Sequence, residues 1–357
     1  MSKKEEYSVV DLFCGIGGLT RGFLDKKFDV TAGVDVDEDC RYAYEKNNKS
    51  KFIGKSVGEL TADYLNSLFR EGSRKILIGC APCQPFSIFN QKSNGLVTDI
   101  NSERWKLLYS FADLIDATRP EIVSMENVPL LKSFKKGKVL NDFVQTLSNL
   151  GYFVSTDVYD SQFYGVPQRR KRLVLLASLN GPIEMIPYTH NNKVNTVKKA
   201  IGKLPKIESG EVHKKDLLHR SRKLNELSLR RIKATPEGGG WKDWSEELVA
   251  DCHKKDGGKA YGSAYGRMSW NDVAPTMTTY CIGYNNGRFG HPEQDRAISL
   301  REAAILQSFP KKYDFIDPER IFSAGRIAKQ IGNAVPVRLG QAIAESVEKH
   351  IELYTDE

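Results

Sequence analysis

Cys83 sits in Gly79-Cys80-Ala81-Pro82-Cys83-Gln84-Pro85-Phe86-Ser87, directly after the apolar run Lys75-Ile76-Leu77-Ile78. A buried strand that breaks into a proline-flanked loop anchors a residue on the sheet while presenting it to substrate, so this thiol reads as a nucleophile more than as a packing cysteine. Cys80 and Cys83 also form a C-x-x-C, the spacing of half a zinc site or of a redox pair, but no second pair accompanies it: Cys14, Cys40, Cys252 and Cys281 are single. Upstream, Asp11-Leu12-Phe13-Cys14-Gly15-Ile16-Gly17-Gly18 carries a strand through a glycine turn into a helix. Glycines there let a ligand approach the backbone, and Asp35, ending the next apolar run, is placed to take both hydroxyls of a ribose. The turn lacks the full G-x-G-x-x-G of dinucleotide enzymes. A nucleoside without a pyrophosphate, such as S-adenosylmethionine, suits it better than NAD; a glycine-rich turn with no ligand is the plainer alternative.

Positioning these groups falls to an alternation of short apolar runs and amphipathic stretches. The spacing predicts strands at 7–13, 30–35, 76–80, 122–125, 153–159 and 172–177, with helices at 19–26, 39–47, 105–117 and 139–150. Strands alternating with helices imply an α/β fold with a doubly wound, mostly parallel sheet. After about Pro182 the pattern dissolves into short segments rich in Lys, Gly, Asn and Trp, which predicts a separate irregular domain. There Trp241, Trp244 and Trp270 are expected to pack rather than to bind. Ser299-Leu300-Arg301-Glu302 then has the form of a capped helix start, and Leu339, Ile343, Val347 and Ile351 make an apolar stripe at helical spacing.

With 357 residues and 40% hydrophobic content the chain can bury a sizeable core. Its charged start, Met1 to Glu6, is not a signal peptide, and no apolar stretch is long enough to span a bilayer, so a cytosolic protein with six free thiols is expected. The net charge of +8 favours a polyanionic partner only mildly. Its distribution is sharper: between Lys193 and Lys233 there are thirteen Lys and Arg against four acids. That segment is either a solvated face or a nucleic-acid contact.

Six segments together carry a resemblance. Asp11 to Gly18, Pro82-Cys83-Gln84, Glu126-Asn127-Val128, Gln168-Arg169-Arg170-Lys171-Arg172, Arg301-Glu302 with Leu306-Gln307-Ser308-Phe309-Pro310, and Gly332-Asn333-Ala334-Val335-Pro336 resemble, in order and spacing, the motif set of the DNA cytosine-5 methyltransferases of prokaryotic and phage type. The resemblance runs from near residue 9 to near residue 340, and the variable stretch falls where that family keeps its target recognition domain. It implies the methyltransferase form of the fold, with a catalytic and cofactor-binding domain at 1–186 and target recognition at 187–295. A hinge and support segment at 296–323 and a return to the first domain at 324–357 complete it.

The implied chemistry is attack by a thiolate on carbon 6 of cytosine, which makes carbon 5 nucleophilic enough to take a methyl group from S-adenosylmethionine. By resemblance Cys83 is that thiolate, Glu126 the acid at ring nitrogen 3, and Arg172 with Arg170 the nearby positive charge. Without that context Glu126 could be a helix-capping acid and 169–172 a solvated basic edge. A cytosine inside a duplex must be flipped out to reach such groups, and Phe86 to Leu96 resembles the loop that closes over it. The resemblance further assigns Phe13 to the adenine face, Asp35 to the ribose, Asn333 to the methionine end, and Gly15 and Gly17 to the turn. Where the family often has an acid for the adenine amino group, this chain reads Gly54-Lys55-Ser56-Val57, which leaves Ser56 or a carbonyl as the substitute. Gln84, Ser87, Gln168, Arg267 and Arg288 are the candidate DNA contacts. The expected partner is double-stranded DNA, read in the major groove by a monomer in the cytoplasm, associated with the nucleoid when acting. No metal is expected, and any cognate restriction endonuclease would be a functional rather than a physical partner. An RNA cytosine-5 methyltransferase sharing the fold, or a binding protein that has lost catalysis, are the rival readings.

Overall fold

The computed structural model describes residues 3–82, 103–255 and 262–354. The apolar runs of the first half form β1 (Tyr7–Leu12), β2 (Asp29–Asp35), β3 (Lys51–Gly54), β4 (Arg74–Gly79) and β5 (Ile122–Asn127), followed by β6 (Phe153–Asp160) and β7 (Lys171–Ser178). They make one seven-stranded sheet in the order β3-β2-β1-β4-β5-β7-β6. The pairs β1–β2, β1–β4, β2–β3 and β4–β5 are parallel, whereas β7 runs antiparallel to both β5 and β6. The central strands β1 and β5 are buried along their whole length, as expected of strands covered on both faces.

The same unit contains α1 (Gly18–Asp25), α2 (Arg41–Asn48), α3 (Ala62–Leu68), α4 (Leu107–Thr118), α5 (Lys138–Asn149) and α6 (Val337–Tyr354). The stripe Leu339, Ile343, Val347, Ile351 is the buried face of α6. α6 lies so close to α1 that a Cβ on Gly22 would fall 2.4 Å from the Gly340 carbonyl carbon, so glycine is required at the crossing. Two elements escape the periodicity reading. β3 has only Phe52 and Ile53 buried, and α3 only Leu65, too few apolar positions to set a period.

Residues 1–161, 171–188 and 335–357 form one compact unit, and 162–170 with 189–334 form a second. Among its described residues the second unit has short helices (Val197–Ile201, Glu226–Lys233, Asp251–Lys254, Leu300–Leu306, Ala324–Asn333) and isolated bridges, but no extended strand. Its core gathers Ile232, Trp241, Trp244, Leu248, Tyr284 and Ala297, with His253 stacked on Trp241 at 4.5 Å. Ser299 and Glu302 form the predicted capping box. Glu302 also receives both terminal nitrogens of the fully buried Arg296, at 2.7 and 2.8 Å. Among the described residues no helix is long and apolar enough to cross a membrane.

Candidate active site

Sheet order alone lines up the first unit's chemical groups. Parallel strands end at one edge, and the antiparallel β7 begins there, so the carboxyl ends of β2, β1, β4 and β5 and the start of β7 present Asp35, the glycine turn, Cys80, Glu126 and Arg172 in sequence along the edge. Ligands of open α/β sheets bind outside these ends.

On the β1–β2 side the chain reverses through backbone conformations that favour glycine: Phe13 at φ 59°, Gly15 at 50° and Gly17 at 81°. A Cβ on Gly15 would meet nothing within 4 Å, whereas one on Gly17 would strike Asn48 Nδ2 at 2.3 Å. Gly15 therefore leaves an open approach above it, and Gly17 seats the turn against α2. The Gly15 N–H donates to Asp35 Oδ2 and the Asp37 N–H to Oδ1, each at 2.8 Å. Burial raises the Asp35 carboxyl above its usual range, against those two bonds. The neighbouring Val36 is 72% exposed, an apolar surface beside a fixed carboxylate. Periodicity cannot reveal it, because Val36 reads as one more apolar strand residue. Beneath the turn, burial pushes Asp11 up to about 7; its Oδ2 accepts from Thr20 Oγ1 at 2.6 Å.

On the β4–β5–β7 side Glu126 is buried, although sequence left open a surface helix cap. β5 runs two residues beyond the expected strand, and this extension puts Glu126 opposite Val174 and Asn127 opposite Leu173 of β7. Arg172, one position nearer the start of β7, brings Nε to 2.9 Å from Glu126 Oε1, an ion pair held by charge rather than by an aligned hydrogen bond. Cys80 Sγ donates to the other oxygen, Oε2, at 2.7 Å. The carboxylate is thus fixed at both ends within an interior where a misplaced charge is costly. Asn127 donates to the Ala81 carbonyl at 3.3 Å, and the Cys80 N–H continues the β1–β4 ladder to Leu12 O at 3.2 Å. These bonds hold the root of the chain that leads to Cys83. Sequence offered Cys80 only as half of a C-x-x-C or a buried strand-end residue and gave Asn127 no role of its own, whereas Cys80 is half-buried and bonds to the carboxylate. The signal was present as a side chain at each of two adjacent strand ends, but it is visible only once β4 and β5 are known neighbours.

Cys83, Gln84, Ser87 and the segment 86–96 lie outside the described residues. Other expected site residues are placed in the second unit. Arg170, expected beside Arg172, is buried and donates to the carbonyls of Met277, Gly332 and Ala334. Gln168, expected to touch DNA, has no exposed surface; its amide joins Leu306 O, Gln307 Oε1 and the Met277 N–H. Arg267 is buried, its guanidinium taken by the carbonyls of Thr235, Ile232, His291 and Gln294 and by Asp295. Arg288 is turned inward onto the carbonyls of Gly238, Gly239 and Arg267. In this structure Arg267 is therefore a framework arginine, since irregular chain leaves carbonyls without ladder partners and its fork satisfies several at once, while the half-buried Arg288 is tied to the framework through Nη1 alone. Asn333 is exposed at the end of its helix. In the first unit, Ser56 precedes a short turn without capping it, and the adjacent Lys55 Nζ lies 4.2 Å over the Tyr64 ring.

Residues 7–349 match the family model of C-5 cytosine-specific DNA methylases. The chain is 50% identical over 346 residues to the Type II methylase M.HgiDII of Herpetosiphon aurantiacus, covering 97% of this chain and 96% of that protein. It is 30% identical over 356 residues to the Type II methyltransferase M.Sau96I of Staphylococcus aureus, covering 99% of this chain and 78% of that protein. Among solved structures, a DNA modification methyltransferase encoded within an Escherichia coli prophage superposes with a TM-score of 0.74 at 21% identity, covering 98% of this chain and all of that one.

Proposed function

The chain belongs to the C-5 cytosine-specific DNA methylases and is a prokaryotic DNA cytosine-5 methyltransferase; we propose that it acts on a cytosine flipped out of a specific duplex sequence, through a covalent bond from Cys83 to carbon 6. The observation that carries this reading is the Glu126 carboxylate, clasped by Arg172 and Cys80 at strand ends next to the strand that leads into Cys83. S-adenosylmethionine, when bound, supplies an electrophilic methyl group on a sulfonium. The residues present fit it: Asp35 for the ribose hydroxyls, Gly15 and Gly17 for close backbone approach, and Phe13 with the exposed Val36 for a flat ring. Ser56 and Asn333 are the proposed contacts at the adenine amino group and the methionine end.

In the reaction, Cys83 Sγ forms a bond to carbon 6 as the carbon 5–carbon 6 double bond gives its electrons toward carbon 5 and the ring. In this reading the Glu126 carboxyl holds a proton at ring nitrogen 3 while that negative charge develops, the entering ring taking the place of the Cys80 thiol at Oε2. Arg172 keeps the carboxyl oriented and adds fixed positive charge. Carbon 5 then bonds to the methyl group. Loss of its proton to a base and expulsion of Cys83 restore the aromatic ring. None of these groups can reach a stacked cytosine, hence the flipped base.

Target recognition is assigned to 187–295, nearly all of it in the second unit, supported by 296–323. We read the enzyme as a cytoplasmic monomer of Type II restriction–modification character, any endonuclease being a counterpart on the same sequence rather than a subunit. The test is labelled methyl transfer to duplex DNA and to tRNA, with bisulfite sequencing of DNA from expressing cells. Site-specific 5-methylcytosine in DNA is the expected result. Transfer to tRNA alone overturns the duplex reading, and no transfer to either overturns the activity.

A further inference from the structure

Two cavities of about 350 Å³ each open on the second unit, and Arg222 and Gly283 line both of them. Arg220, Lys223, Tyr280, Asn285 and Asn286 add to their walls, and neither lining contains an Asp or Glu. Cations and amides without a carboxylate make a surface for anions and for hydrogen-bonding edges. Among the described residues Arg222 and Lys223 have no ion-pair partner, in contrast to Arg267, whose donors are taken by the framework. Arg220 lies 4.0 Å over the face of Phe322, which orients its guanidinium and leaves the N–H edge of the plane available. Tyr280 is 68% exposed, unusual for a large ring that could have packed.

Local backbone explains how these groups are displayed. Tyr280 to Asn286 is a run of tight turns, with Gly283 N donating to Tyr280 O at 2.9 Å and Asn286 N to Gly283 O at 3.1 Å. A Cβ on Gly283 would fall 2.2 Å from Asn286 Nδ2, so the glycine is what lets that amide fold against the ridge between the cavities.

We propose that this ridge reads the target duplex: Arg222, Asn285 and Asn286 on base edges, Lys223 and Arg220 on phosphates, and Tyr280 against a base or sugar face. The inference rests on the duplex methyltransferase reading and names the part of the second unit that supplies its specificity. Each cavity is too small for a duplex but large enough for side chains to meet projecting edges. An Arg fork matches guanine O6 and N7, an Asn amide matches adenine N6 and N7, and phosphates favour cations regardless of sequence.

The test compares the wild type with Arg222→Ala, Asn285→Ala/Asn286→Ala, Lys223→Ala and Tyr280→Ala. Binding to a fluorescent duplex carrying the site found by bisulfite sequencing, and to a scrambled duplex, is followed across a salt series. Thermal melting and binding of S-adenosylhomocysteine report folding. Arg222→Ala and the double variant should lose about ten- to a hundredfold in preference for the site over the scrambled duplex. Lys223→Ala should weaken both duplexes alike and lower the salt slope by about 1. Tyr280→Phe should bind as the wild type does, and Tyr280→Ala should not. Unchanged site preference in folded Arg222→Ala and in the double variant overturns the inference while leaving the methyltransferase reading intact. If the wild type transfers no methyl group to DNA, that reading fails, and the binding comparison on duplexes found by selection for affinity still decides the ridge.

Discussion

Arg172 of the first unit and Arg170 and Arg267 of the second are used in opposite ways. In the first, regular strands satisfy most of their own backbone, and Arg172, apart from one local bond from Nη1 to the Lys171 carbonyl, faces a carboxylate at the sheet edge. In the second, the chain is irregular, and Arg170 and Arg267 do what a ladder would otherwise do, each collecting carbonyl oxygens from several segments, while one nitrogen of Arg288 meets three more. The difference teaches that an arginine's role follows from how its surroundings have met their hydrogen bonds. A charged residue in a motif is available for chemistry where secondary structure has already satisfied the backbone.

The largest expected effect tests the first half of this contrast. Cys83→Ser should reduce methyl transfer by on the order of a thousandfold or more while leaving binding of S-adenosylhomocysteine unchanged. Transfer at the normal rate would remove the covalent route and with it the purpose of the clasped carboxylate. Next in size, Glu126→Gln keeps the shape of the clasp but removes the acid, and should slow transfer by about a hundredfold or more with little change in DNA affinity. If Glu126→Gln instead melted early at full activity per folded molecule, Glu126 would belong to the framework, like the arginines of the second unit.

The second half is tested by Arg267→Ala, which strands the carbonyls of Thr235, Ile232, His291 and Gln294 in the interior. A loss of about 3 kcal/mol is expected in urea unfolding, with amide exchange rising in the second unit. Arg267→Lys should rescue little, since one ammonium cannot reproduce the fork. If Arg267→Ala were stable yet lost only sequence preference, the residue would be reading DNA after all.

This asymmetry also sets what the sequence made legible. Asp35 could be named because it stands at a strand terminus, and termini of alternating apolar runs are visible from periodicity and glycine; Glu126 and Arg172 were legible only through the resemblance of their motifs to the family. Cys80 and Asn127 needed knowledge of which strands are neighbours, a long-range fact. β3 and α3 offered too few buried positions to show a period. In the second unit the reading found irregularity, buried tryptophans and the Ser299–Glu302 cap, all local properties. It could not rank Arg222 above Arg267, because both are cations in polar sequence, and only the accounting of carbonyl partners separates them.

The dependence of stability on pH also separates the units. Asp11, in the first unit, is pushed up to about 7 by burial; between its ordinary 3.8 and 7 the folded state holds a proton that the unfolded chain has released. Stability from this residue therefore falls as pH rises across that window, by at most about 1.4 kcal/mol per pH unit. Glu302, in the second unit, is the reverse. Burial would raise it, but hydrogen bonds and charge from Arg296, then His291 and the Ser299 N–H, outweigh burial and hold it down to about 2 against an ordinary 4.5. Its contribution is complete above pH 4.5 and is lost as pH falls toward 2. Asp11→Asn should flatten the decline between pH 4 and 7 seen in urea unfolding of the first unit, and Glu302→Gln should flatten only the acid limb of the second. A slope between pH 4 and 7 unchanged in Asp11→Asn would mean that the proton is not held beneath the glycine turn. Two acids, both buried, would then differ for some reason other than the presence of a guanidinium beside one of them.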